Sequence, residues 1–176
     1  MKKTLCTTVL PASKRWLSLF LILLFCPLLN AQDHPGLLFH ITKSSNRNIV
    51  CYDVSLDQSG TLVKGKPIHA YWINNEDKPG TTEELNLIQW KLAYGYKVID
   101  NLGSSAEVTL RAYSKRSVSI IKKEGIWVAM TTIDSQEARL KEIHVHSKPG
   151  NSMNVEYIVL KGITAQGKMV EEKILR

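Results

Sequence analysis

Cys51, His40 and His69 fall in three successive runs of alternating apolar and polar residues, and a thiol flanked by imidazoles is what a thiolate nucleophile or a soft metal site requires. If the three runs are adjacent strands paired by their apolar alternation, Leu37, Phe39 and Ile41 share a face with Val50, Tyr52, Val54, Ile68, Ala70 and Trp72. The opposite face then collects His40, Cys51, Asp53, His69 and Tyr71. Against the chemical reading, no local signature of a thiol hydrolase surrounds Cys51, and the C-x-x-C ligand spacing is absent. The plain alternative is a group of polar side chains that satisfy one another or an interface.

A second pair, His144 and His146, has the two-residue spacing that points both rings the same way from a strand, roughly 6.5 to 7 Å apart. That is near enough to grip one metal ion if a third ligand arrives from elsewhere. The next acid, Glu156, does not reproduce the His-x-His and Glu arrangement of cupin-type barrels, which leaves two solvent-facing histidines as the simpler account. Tyr71, Trp72, Trp90, Tyr94 and Tyr96 concentrate aromatic mass in a short stretch of chain. Such residues build core, or they line a binding pocket where an apolar body and a polar edge are both of use. These five are the expected ligand-binding residues. Lys43, Arg47, Lys64 and Lys66 are scattered over turns and read as a solvated face. There is no Gly-rich phosphate loop, Gly-x-Ser-x-Gly elbow or His-Glu-x-x-His helix, so the sequence implies no cofactor and no dedicated metal.

The elements that must position these residues are mostly strands. Runs at 37–43, 48–54, 67–73, 96–99, 107–113, 117–123, 126–133, 138–146, 153–161 and 168–175 are rich in β-branched and aromatic residues, with Gly, Asn, Asp and Ser clusters between them. Residues 136–142 also suit a short helix. One helix is expected over about residues 82–94: Glu83 and Glu84 favour its start, and Leu85, Ile88, Leu92 with Leu87, Trp90, Tyr94 form one wide apolar face. Gly95 is placed to end it in the left-handed conformation. Nine or ten strands and one helix predict a mainly β domain, an antiparallel meander that closes into a barrel or a compact sandwich.

The first 31 residues have the layout of a secretory signal. Lys2, Lys3, Lys14 and Arg15 precede an apolar run from Trp16 to Leu29, and Asn30 and Ala31 complete a cleavage site after Ala31. The run of 14 residues falls short of the roughly 20 that a membrane-spanning helix needs, and Pro27 interrupts it. Cys26 follows Leu24 and Phe25, bulky residues that do not suit a lipidation site. The expectation is therefore a signal peptide over 1–31 and one domain over 32–176, secreted or periplasmic, with no transmembrane segment in the mature chain. That mature chain carries 19 basic and 16 acidic residues, which gives no case for nucleic acid or a strongly anionic membrane surface as a partner. Cys51 is its only cysteine, so an ordinary hydrophobic core must hold it together.

Phe39-His40-Ile41, Tyr52-Asp53-Val54, Pro67-Ile68, Tyr71-Trp72-Ile73 and Ala93-Tyr94-Gly95 together resemble a family of secreted bacterial proteins catalogued as a domain of unknown function, number four thousand eight hundred and thirty-three. The resemblance spans most of the mature chain and implies one intact domain. It brings no catalytic or binding residue with it. On the residues themselves, the expected function is a non-catalytic binding module for a small or amphipathic ligand or a cell-envelope partner. The alternatives are a hydrolase or metal protein centred on Cys51, and a protein-interaction subunit.

Overall fold

The computed structural model describes residues 34–175, so the expected signal peptide over 1–31 lies outside the described residues. From His34 onward the chain forms one compact unit. Its strands are β1 (Leu37–Lys43), β2 (Asn46–Val54), β3 (Ile68–Asn74), β4 (Thr81–Glu84), β5 (Tyr96–Asn101), β6 (Ser105–Leu110), β7 (Tyr113–Lys123), β8 (Ile126–Ile133), β9 (Gln136–Lys148), β10 (Asn151–Thr164) and β11 (Met169–Leu175). Between β4 and β5 lies helix α1, in which a turn of α-helix, Leu87–Gln89, runs directly into a π-helical turn, Trp90–Tyr94. The domain is mainly β with a single helix, and the sheet is a strongly curled half-barrel.

All eleven strands belong to one sheet, which forks at β9. Gln136–Arg139 of β9 pair with β8, and three residues beyond Arg139 the run Glu142–Val145 pairs with β1. The other edge of β9 pairs with β10 over nearly its whole length, and β10 carries β11. Two arms, β1-β2-β3-β4 and β8-β7-β6-β5, thus leave the same edge of one strand. The β1–β9 contact is parallel and every other pairing is antiparallel, as a meander requires.

The arms curl over one core. Phe39, Val50, Tyr52 and Ile68 of the first arm belong to the same buried cluster as Val108, Ile120, Ala129 and Ile133 of the second. Phe39 and Tyr52 stack there at 4.4 Å. The free ends of the arms are tied by side chains: Tyr96 on β5 donates its hydroxyl to the Ile68 carbonyl on β3 at 2.6 Å, and Asn101 Nδ2 donates to the Val63 carbonyl at 3.0 Å. On the opposite flank Arg116 of β7 makes a two-pronged contact with Glu172 of β11, at 2.7 and 2.8 Å.

The expected strands are present, with two differences. Residues 81–84 are strand, not the start of the helix. The loop after β3 folds back on Asn74, whose carbonyl accepts from Gly80 N and whose side chain accepts from Glu76 and Asp77, so Thr81–Glu84 return alongside β3 and satisfy its free backbone groups. The helix begins instead at a capping box, in which Asn86 Oδ1 accepts from Gln89 N and Gln89 Oε1 accepts from Asn86 N. The strand expected over 138–146 is present within β9, and its alternative, a short helix over 136–142, does not form because β9 finds partners there on both edges.

The second difference concerns Gly95, which ends the helix where expected but with φ −71° and ψ 171°, an extended conformation open to any residue. Glycine is needed for space: a Cβ would lie 2.1 Å from the Trp90 carbonyl oxygen, to which Gly95 N donates to close the π turn. Gly95→Ala should therefore cost about 3 kcal/mol or more. Gly65→Ala, at φ +76° with nothing within 4 Å, should cost only about 1 kcal/mol. Urea denaturation of both variants checks this, and equal losses would contradict it.

A pH prediction follows from the flank pairing. Hydrogen bonds from Arg116, joined by one from Asp134 N, hold the Glu172 carboxyl below its ordinary value of 4.5. A carboxyl depressed in the folded state stabilises fully above its unfolded value and loses that contribution as pH falls through the folded one. Glu172→Gln should lower stability at pH 7 and flatten the decline between about pH 5 and pH 3. Thermal melts across that range would show it, and parallel curves for variant and wild type would refute it.

Candidate functional site

The register of β1, β2 and β3 places the polar cluster on one face, as the alternation predicts. His40 is opposite Cys51, Cys51 opposite Tyr71, and Asp53 opposite His69. Leu37 is the exception: a β-bulge between Leu37 and Phe39 turns it to this outer face, where it packs with Ile49 and Cys51. The pairing extends sideways to Glu142 on β9, opposite His40, and to Glu84 on β4, opposite Tyr71. A row of functional groups therefore crosses five strands.

Within the row most groups are partnered with one another, while Asp53 Oδ1 is buried without a hydrogen bond among the described residues. With its proton on Nε2, His34 donates to the Tyr71 hydroxyl at 2.9 Å, and Tyr71 donates to Asp53 Oδ2 at 3.1 Å. His69 Nε2 lies 2.7 Å from Glu84 Oε1, and its ring stacks on Tyr71. Glu142 accepts from Thr42 at 2.6 Å and from Lys161 at 3.0 Å. Burial alone would raise the Glu142 carboxyl, but those hydrogen bonds, with the charges of Lys161 and His40, bring it below its usual range. Asp53 goes the other way, raised by burial against the opposing pull of His34, Tyr71 and His69. Asp53, His69, Tyr71, Thr82, Glu83 and Glu84 line a groove of about 500 Å³.

Cys51 is 2 % exposed, and burial, reinforced by the charge of Asp53, pushes its thiol up to about 11 despite a hydrogen bond with Tyr71 that pulls it down. Burial and the raised pKa both disfavour the accessible thiolate that a nucleophile requires. His144 and His146 share the outer face, but they are held separately. His144 Nδ1 bonds Thr42 Oγ1 at 2.8 Å, while His146 stacks on Tyr157 at 4.4 Å and lies 3.5 Å from Glu156. Among the described residues no three His, Cys, Asp or Glu side chains are grouped to hold a metal ion.

The five aromatic residues divide. Tyr71 stands on the outer face beside His69, whereas Trp72 is paired with Val50 and packs against the core from the inner side. Trp72 meets Tyr94 edge-on at 5.0 Å, and Trp90 meets Tyr96 likewise at 5.0 Å. Lys43 Nζ lies 4.6 Å from the centre of the Trp72 ring and 5.3 Å from that of Tyr94. Tyr96 is buried, and burial pushes its hydroxyl up to about 12. Trp90 and Tyr94 are half-buried and anchor α1, helped by the Tyr52 hydroxyl, which donates to the Tyr94 carbonyl at 2.7 Å.

The apolar surface of α1 is thereby split. Leu85, Trp90 and Tyr94 pack on the core, while Leu87, Ile88 and Leu92 remain 66, 69 and 72 % exposed. Helical spacing marked all six as one buried face. The strand at 81–84 and the π turn shorten and rotate the helix, so that half of that face points outward. No local signal in the sequence distinguishes the two halves.

The state of Cys51 is directly testable. At pH 7.5 the native thiol should react with iodoacetamide at less than about one hundredth of the rate in urea, because both burial and its raised pKa oppose attack. A native rate close to the unfolded one would show an accessible thiolate and restore Cys51 as a reactive centre.

Among the described residues no helix is long and apolar enough to cross a membrane. No curated protein and no solved structure matches this chain. Residues 39–173 match the family described as a domain of unknown function, DUF4833, a span that begins inside β1 and ends inside β11 and so includes the fork, both arms and the helix. The chain belongs to the DUF4833 family.

Proposed function

We propose that this protein is an exported, non-catalytic binding module, which meets an amphipathic ligand or an envelope partner through the outward face of α1. The observation that carries this reading is the exposure of Leu87, Ile88 and Leu92 on a helix that is otherwise firmly fixed. Ile88 and Leu92, four residues apart, are neighbours on the helix surface, and Leu87 precedes Ile88, so three exposed aliphatic side chains cluster on this short helix. Single exposed aliphatic residues are ordinary, but a contiguous patch on a rigid, capped element is a contact surface. Lys43 and Trp72 lie against Tyr94 at the C-terminal end of the same helix. Export rests on the leader pattern of residues 1–31, from which a secreted or periplasmic location follows.

A hydrolase or metal protein centred on Cys51 is the weaker reading. Its thiol is buried and protonated, and His69 is engaged with Glu84. The outer-face network looks like mutual satisfaction of half-buried polar groups, which is what a sheet face needs when it lacks a covering layer.

Native mass spectrometry tests the binding reading. The mature protein, purified gently from its own host, should carry a mass excess that disappears on denaturation. The Leu87→Gln, Ile88→Gln, Leu92→Gln triple variant should lack that excess while its melting temperature stays within a few degrees, since exposed substitutions change stability by about 0.5 kcal/mol each. Clean masses for both proteins would refute the reading, and an excess that persists in the variant would move the ligand away from α1.

A further inference from the structure

We infer that the outward face of α1 seats in the interfacial layer of a lipid bilayer. The inference rests on the binding reading above and names the partner of that surface.

Size is the first argument. The exposed anchors run only from Leu87 to Leu92, and the whole helix is Leu87–Tyr94. A helix that docks in a protein groove presents anchors at i, i+3, i+4 and i+7 over two turns or more. A stable protein interface buries about 800 Å² per partner. Three aliphatic side chains on about one and a half turns supply well under half of that, which argues against a protein groove and equally against two copies of this chain pairing tip to tip. A bilayer needs no complementary shape and accepts a shallow apolar tip.

Composition is the second. Leu87, Ile88 and Leu92 form the tip, with Lys91 exposed among them. Behind the tip stand Trp90 and Tyr94, both half-buried, with Lys43 poised over Trp72 and Tyr94. Exposed aliphatic residues with half-buried Trp and Tyr behind them, and an exposed Lys on the same helix, are the side-chain types found across the membrane–water boundary. The rings are held by edge-to-face contacts at 5.0 Å to Tyr96 and Trp72, so the tip enters as a preformed wedge and pays no ordering cost.

Charge sets the character of the attachment. Glu83 near the end of β4 and Lys91 on the helix are exposed charges of opposite sign, while Glu84 is bonded to His69 and Lys43 lies over the Trp72 ring. The local charge is close to balanced, so apolar burial drives the association. It is reversible, comparable with a single short acyl chain at most, and nearly indifferent to salt.

Flotation of the mature full chain with vesicles tests this. Vesicles of phosphatidylethanolamine and phosphatidylglycerol at 3:1, and vesicles of phosphatidylcholine alone, should both carry a measurable fraction of the protein upward. The Leu87→Gln, Ile88→Gln, Leu92→Gln variant should bind at least fivefold less to each, and Leu92→Trp should bind more. Raising NaCl from 0.1 to 0.5 M should change the bound fraction less than twofold. Flotation that survives the triple variant, or that requires phosphatidylglycerol and vanishes at 0.5 M NaCl, would overturn the inference. No flotation with either vesicle would also overturn it. If the mass excess of the native protein then persists and still depends on α1, the binding reading stands with a different partner. If that excess is missing too, both fail.

Discussion

The shared edge of β9 is the constraint on which the rest of the structure depends. One strand gives hydrogen bonds to β8 near its start and to β1 further along, on the same side, while β10 occupies the other side throughout. Two arms that begin on one edge of one strand cannot continue as a flat sheet, because they would compete for the same space. They diverge and curl toward each other, and the apolar faces they carry are brought into one core. The parallel pairing of β1 with β9 is part of the same arrangement, since it joins the first strand of the domain to one near its end.

No strand pairing spans the open side of the curl, where the tie is made by one backbone bond, Leu62 N to the Gly103 carbonyl, and by side chains: the Tyr96 hydroxyl on the Ile68 backbone, Tyr52 on the carbonyl of Tyr94, and Asn101 on Val63. Buried tyrosines suit this task because each provides a large apolar body and one polar tip that must find a partner. The helix lies in the connection between the last strands of the two arms, β4 and β5, so its position is decided by where those arms end. Its π turn is the local adjustment that seats Trp90 and Tyr94 inward, and the outward position of Leu87, Ile88 and Leu92 is the counterpart of that adjustment.

The two surfaces noted for chemistry thus have different characters. The outer face of β1, β2 and β3 carries the thiol, imidazole and carboxylate groups, most of which bond to one another; the thiol is sealed from water, and Asp53 Oδ1 is the one buried oxygen there without a hydrogen bond among the described residues. The helix carries no reactive group and is the surface left physically incomplete. Function is read from the helix because exposed aliphatic area gives free energy to an incoming partner, whereas most outer-face groups already spend their hydrogen bonds on one another.

The period-two alternation of the first three runs determined their faces and register, and with them the co-location of His40, Cys51, Asp53, His69 and Tyr71, because a slip of one residue would have sent the apolar set into water. The Leu37 bulge escaped it, since an extra residue leaves no mark in composition. Mainly β architecture with a single helix ending at Tyr94 was likewise legible from β-branched runs and turn residues. Three things were decided only in the tertiary structure. Residues 81–84 became strand because β3 offered them backbone partners, β9 became a branch point because two arms found one edge, and half of the helix's apolar face was left outside because the core had room for Leu85, Trp90 and Tyr94 alone. Each depends on which distant segment arrives beside a given residue, and local spacing carries no information about that.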